Sequence, residues 1–114
     1  MYMIMLVLDN PDYLDQVLKD WKQAGISGAT IVESTGIQHL RKMNVPMNYL
    51  YQTPGLIEEG HITLFVIVES ELLVQDCLQI TEQIVGNLER PDTGVFAAWP
   101  LAYVRGVPSH LKEV

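Results

Sequence analysis

Hydrophobic and polar positions along the chain repeat one pattern twice: strand, amphipathic helix, strand. The first set covers Tyr2–Leu8, Pro11–Ala24 and Ala29–Ser34, and the second covers His61–Glu69, Glu71–Leu88 and Val95–Val104. Three of these strands are apolar on both faces. In the first, Tyr2, Ile4, Leu6 and Leu8 alternate with Met3, Met5 and Val7. In the third, Ile62, Leu64, Val66 and Val68 alternate with Thr63, Phe65 and Ile67. In the last, Val95, Ala97, Trp99, Leu101 and Tyr103 alternate with Phe96, Ala98, Ala102 and Val104. A sheet with one wet face alternates between apolar and polar, and these strands do not. Two helices cover one face of a four-stranded sheet. The other face therefore calls for a partner, most simply another copy of the chain.

The helices carry their own boundary signals. Asn10 is a favourable N-cap, Pro11 suits the first turn, and Asp12 complements the helix dipole. Leu14, Val17, Leu18, Trp21 and Ala24 then recur at helical spacing, and Gly25 suits a C-cap. Trp21 reads as a core anchor. Ser70 caps the second helix, whose stripe runs through Leu73, Val74, Cys77, Leu78, Thr81, Ile84, Val85 and Leu88. Strand–helix–strand twice over, with right-handed crossovers, predicts an α+β, ferredoxin-like β-α-β-β-α-β sandwich. It has a four-stranded antiparallel sheet with two helices on one face, and a single domain over residues 1–114.

Between the halves, residues 37–60 show no convincing periodic element, and connections of that length are usually functional or disordered. Met43, Val45, Met47, Tyr49, Leu50, Tyr51, Leu56 and Ile57 make this segment too apolar for a plain linker. Met47–Gln52 is its best candidate for a strand or hairpin. The segment reads either as a protein-contact surface or as a loop folded back on its own assembly, and its length places it at the low-stability end of the fold.

Composition narrows the function. The chain has 114 residues, 48% of them hydrophobic, and a formal net charge of −7, which opposes non-specific nucleic-acid binding. Nothing approaches the roughly 20 apolar residues of a membrane span, and the N-terminus lacks the features of a signal peptide. The single cysteine, Cys77, fits a reducing, cytoplasmic setting and reads as a small core residue. His39, His61 and His110 lack metal-ligand spacing, so no metal site is expected. His61 and His110 are expected to face solvent. No Ser-His-Asp or Cys-His order suggests a nucleophile, and no Walker-type phosphate loop is present. Two glycine turns stand out, Ser34-Thr35-Gly36 and Arg90-Pro91-Asp92-Thr93-Gly94. Such turns can present backbone N–H groups to an anion, with Arg90 and Arg105 supplying charge.

Tyr13-Leu14-Asp15-Gln16-Val17, through Gly25-Ile26-Ser27-Gly28-Ala29-Thr30-Ile31-Val32-Glu33, resembles the first helix and second strand of the PII signal-transduction (nitrogen regulatory) proteins. Ile62–Ser70, the second helix, and Asp92-Thr93-Gly94-Val95-Phe96 leading to Trp99-Pro100 resemble that family's second half. The likeness holds in order and spacing over most of the chain and fails in the central segment. It implies a non-catalytic homotrimer that binds an adenine nucleotide or other anion between subunits and signals to a partner protein through its long loop. By position, the resemblance implies ligand-binding roles for Thr30, Gly36, Gln38, Asp92, Thr93, Gly94 and Arg105, and the two glycine turns add Thr35 and Arg90 to the expected ligand-binding set. Arg105 falls on the family's phosphate-binding arginine when the final strand is aligned without a gap. The partner-binding loop would include His39, Arg41, Lys42, Tyr49 and Tyr51, with the two tyrosines near the family's modified one. The family's Gly-Arg-Gln is replaced by Gln38-His39-Leu40, and its Gly-x-Gly-Lys by Pro91-Asp92-Thr93-Gly94. Two charge-assisted contacts of about 1.5–3 kcal/mol each are thereby lost, so any adenine nucleotide is expected to bind weakly. The alternatives are a metal-responsive or structural trimer resembling the CutA proteins, and a small ferredoxin-fold enzyme using His39 or Asp92 as acid or base.

Overall fold

The structure, a computed structural model, describes residues 1–35 and 60–107. Strand β1 (Tyr2–Leu8) leads through a 3-10 turn at Pro11–Tyr13 into helix α1 (Leu14–Gln23), then strand β2 (Thr30–Thr35). Strand β3 (Gly60–Val68), helix α2 (Glu71–Val85) and strand β4 (Gly94–Pro100) follow. The strands form one sheet in the order β2-β3-β1-β4, and every neighbouring pair is antiparallel. The architecture is α+β and compatible with a ferredoxin-like fold. Gln38, His39, Arg41, Lys42, Tyr49 and Tyr51 lie outside the described residues, as do Gly36, Met47–Gln52 and His110.

Local chemistry sets most boundaries. Asn10 Oδ1 accepts from the Asp12 amide at 3.0 Å, and Ser70 Oγ accepts from the Leu73 amide at 3.3 Å, so each helical segment has its expected cap. Three ends differ from the pattern-based expectation by more than one residue. The first turn after Asn10 is 3-10 rather than α. Helix α2 stops at Val85 because Gly86 takes a φ of 94°, and Glu82 Oε2 then accepts from the Leu88 amide at 3.0 Å. Strand β4 ends at Pro100 rather than Val104. Pro100 pairs with Tyr2, the first residue of β1, and beyond it Leu101 N donates once more, to Met1 O at 2.9 Å. The strand stops where its partner runs out.

Both helices pack on the face carrying the even-numbered residues of β1 and β3. Ile4, Leu6, Leu8, Leu64, Val66 and Val68 are buried there against Val17, Trp21 and Cys77. Inside this core Trp21 Nε1 donates to Thr81 Oγ1 at 3.0 Å, and Thr81 Oγ1 donates to Cys77 O at 2.7 Å. The indole and the hydroxyl thus satisfy one another across the two helices, and Trp21 is the core anchor its position predicts. The odd-numbered face has neither helix over it. Met3, Met5, Val7, Phe65 and Ile67 are half-buried, Val95 and Trp99 are exposed, and His61 and Thr63, at one end of β3, are buried.

Candidate functional site

The described residues singled out in the sequence fall at two separate places, apart from Thr35, which ends β2 opposite Gly60. At the first, Gly28 (φ 80°) turns the chain into β2, which begins at Thr30. After β4, residues 105–107 come back to the open face of the sheet. Thr30 and Arg105 line one cavity there, of about 220 Å³, together with Ser27, Met3, Phe65 and Ile67. Arg105 Nη2 donates to Tyr103 Oη at 3.3 Å, and the guanidinium carbon lies 5.9 Å from the centre of that ring. A hydrogen bond and a cation–π contact from the same tyrosine both orient the arginine.

The second place is the Arg90–Gly94 turn. Arg90 and Asp92 are exposed, and Asp92 holds a left-handed φ of 62°, which Asp tolerates better than most residues. Thr93 Oγ1 donates to Arg90 O at 3.0 Å, and Arg90 N donates to Asn87 O at 3.1 Å. Gly94 has a φ of 147°, and a Cβ there would collide with the backbone oxygen of Val7. The Thr93 hydroxyl is thus used within the turn, and the missing Cβ of Gly94 lets the turn close onto β1. The hollow beside the turn, about 450 Å³, is lined by Glu82 and Glu89 as well as Gly94. Carboxylates at its rim oppose an anion.

Sheet geometry keeps the two places apart. Thr30 pairs with Phe65, whereas Gly94 pairs with Leu8, itself the partner of Ile62. They are three residues apart along the strands and on opposite edges of the sheet, which is about 10 Å along and about 14 Å across. An edge at Thr30–Thr35 and a turn at Arg90–Gly94 do not meet within one chain, and a ligand touching both needs two subunits. Within the chain, Arg105 shares its cavity with Thr30.

One expectation is overturned. His61 was expected to face solvent, yet it is 8% exposed and its Nδ1 lies 3.0 Å from Asp9 Oδ1. The β1–β3 register explains the pair: Leu8 faces Ile62, so the next residues, Asp9 and His61, come opposite each other. An acidic residue just after one strand and a histidine opening its antiparallel neighbour were the available signal. Cys77, by contrast, lies where its helical stripe puts it. It is fully buried, and burial pushes its thiol up to about 12, with a hydrogen bond to Thr81 acting the other way. It is a packing residue rather than a nucleophile.

Among the described residues no cluster of His, Cys, Asp and Glu could hold a metal ion, and no helix is long and apolar enough to cross a membrane. No protein-family model matches the chain, and no curated protein is significantly similar to it.

Proposed function

We propose that this chain is a non-catalytic, PII-like regulatory module of β-α-β-β-α-β order, assembled as a homotrimer through the open face of its sheet. It senses a small anion and signals to a partner protein through the segment 37–60, in a reducing cytoplasmic setting. The observation that carries this reading is the second apolar face. Met3, Met5, Val7, Phe65 and Ile67 form a continuous half-buried surface, and Val95 and Trp99 extend it across β4. Exposed apolar surface of this kind marks an interaction site.

The edge positions of β2 and β4 support the same reading. Each subunit offers one half of the expected ligand cleft at each edge, so a neighbour is needed to bring Thr30–Gly36 against Arg90–Gly94. Without the family's lysine and loop arginine, such a cleft holds an adenine nucleotide only weakly, at micromolar affinity or poorer. Light scattering of the purified protein tests the assembly, with three chains expected and about 2,000 Å² or more of surface buried. A stable monomer at micromolar concentration overturns it.

A further inference from the structure

The cavity beneath residues 105–107 has a chemistry that the neighbouring hollows lack. In a chain of net charge −7 its described lining contains a guanidinium and no carboxylate. The hollow beside the Arg90–Gly94 turn carries Glu82 and Glu89, and the one between the helices carries Asp20. Tyr103 takes one Nη2 hydrogen of Arg105, and among the described residues no carboxylate pairs with that guanidinium. An arginine has five N–H donors in a planar fork, so donors remain for a ligand. The floor is apolar, made by Met3, Phe65 and Ile67 from the open face of β1 and β3. Thr30 adds a hydroxyl at the β2 edge.

Size excludes part of the field. At about 220 Å³ the cavity falls below the roughly 300–1,000 Å³ of pockets that enclose drug-sized ligands. A nucleotide does not fit inside it whole. Inorganic phosphate would meet Arg105 but leave the apolar floor wet, and a neutral hydrocarbon would cover the floor but leave the guanidinium without an anion.

We propose that this cavity binds a small organic monoanion, a carboxylate on a short apolar or aromatic body. The Arg105 fork receives the carboxylate, and Met3, Phe65 and Ile67 receive the body. This rests on the reading of the chain as a small-molecule-binding module and names a ligand class for it. It differs from the intersubunit cleft in that one chain supplies every group. Its floor residues Met3, Phe65 and Ile67 belong to the face proposed for self-association, so an occupant shares that surface with a neighbouring copy.

Benzoate is a suitable probe, with benzyl alcohol as its neutral counterpart, inorganic phosphate as the anion without a body, and ATP as the nucleotide. Each is titrated into the isotope-labelled full chain while backbone amide signals are followed. Benzoate should move the amides of Ser27–Thr30, Phe65–Ile67 and Arg105–Val107, with a Kd of about 1 mM or tighter, as befits so small a ligand. Benzyl alcohol and phosphate should bind roughly tenfold or more weakly. Arg105→Gln, at an exposed position, should weaken benzoate by roughly tenfold or more while leaving the rest of the spectrum in place, and Arg105→Lys should restore part of the loss. The assignment is overturned if benzoate at about ten times that concentration moves none of these amides, or if Arg105→Gln binds it as well as the parent does. Phosphate or benzyl alcohol binding as tightly as benzoate overturns it too. ATP shifts confined to residues 90–94, with the cavity silent to benzoate, would overturn this assignment and leave the module reading standing. Silence towards both would remove both.

Discussion

Alternate residues of β1 live in different surroundings. Ile4, Leu6 and Leu8 are fully buried under the two helices, whereas Met3, Met5 and Val7, on the same strand, remain half-buried on a face that neither helix reaches. The same contrast continues across the sheet, from Leu64 and Val66 against Phe65 and Ile67. Both sets are apolar, so hydropathy alone does not distinguish them. On the helix face, polar groups are closed among themselves, as in the Trp21–Thr81–Cys77 chain of hydrogen bonds. On the open face, a cavity with a guanidinium at its rim adjoins the apolar surface. One face is a finished core, and the other leaves apolar side chains and a guanidinium partly exposed.

The largest effect expected of a single substitution is on the helix face. Leu6 packs between Leu64 on β3 and Phe96 on β4, with no exposure. Leu6→Ala should cost about 2–5 kcal/mol, read as a lowered denaturant midpoint with an unchanged slope. A loss below about 1 kcal/mol would mean that this face is not the principal core.

Next comes the polar tie inside that core. Thr81→Val removes the acceptor of a fully buried indole N–H, which should cost about 1–3 kcal/mol. Trp21→Phe in the same background removes the orphaned donor, so the double variant should lose less than the sum of the two single losses. Strict additivity would show that the Trp21–Thr81 bond contributes nothing.

Cys77 gives the helix face a pH signature. Burial raises its thiol from 9.0 to about 12, so the unfolded chain gives up this proton at lower pH than the folded chain does. The stabilisation is therefore complete below pH 9, declines by about 1 kcal/mol per pH unit above it, and is exhausted once the folded thiol ionises near 12. Denaturant midpoints compared between about pH 8 and about pH 10 should fall more steeply for the parent than for Cys77→Ala. Parallel slopes would remove the thiol from the balance.

The finished face was legible in the sequence because its signals are local and periodic. The stripe Leu14, Val17, Leu18, Trp21 and the caps Asn10 and Ser70 each specify their surroundings within one or two helical turns. The sites were less legible because they depend on register and on chain crossings. Nothing in the spacing of Asp9 and His61 announces their pairing until β1 and β3 are aligned. Thr30 and Arg105 were both singled out from the family resemblance, but their sharing of one intrachain cavity follows from the path taken after Pro100. Gly94 was singled out as a ligand contact, and its missing Cβ is explained by the approach of Val7. A glycine in a turn reads the same in sequence whether a phosphate or a neighbouring strand lies against it.

The smallest effect on folding is expected one residue away from the largest. Met5 follows Ile4 and precedes Leu6, pairs with Phe65 and Ala97, and lies at the middle of the open face. If that face is closed by other copies of the chain, Met5→Glu should abolish assembly by setting a carboxylate in an apolar interface. It should change the stability of the dissociated chain by less than about 1 kcal/mol. The comparison needs the parent at a dilution where it too is dissociated, because assembly adds stability by mass action. Light scattering and denaturation on the same samples separate the outcomes. Loss of assembly with stability retained sharpens the contrast between the faces. A stability loss as large as that of Leu6→Ala would mean that Met5 is buried within the folded chain itself, and an unchanged assembly would place the contact between copies elsewhere.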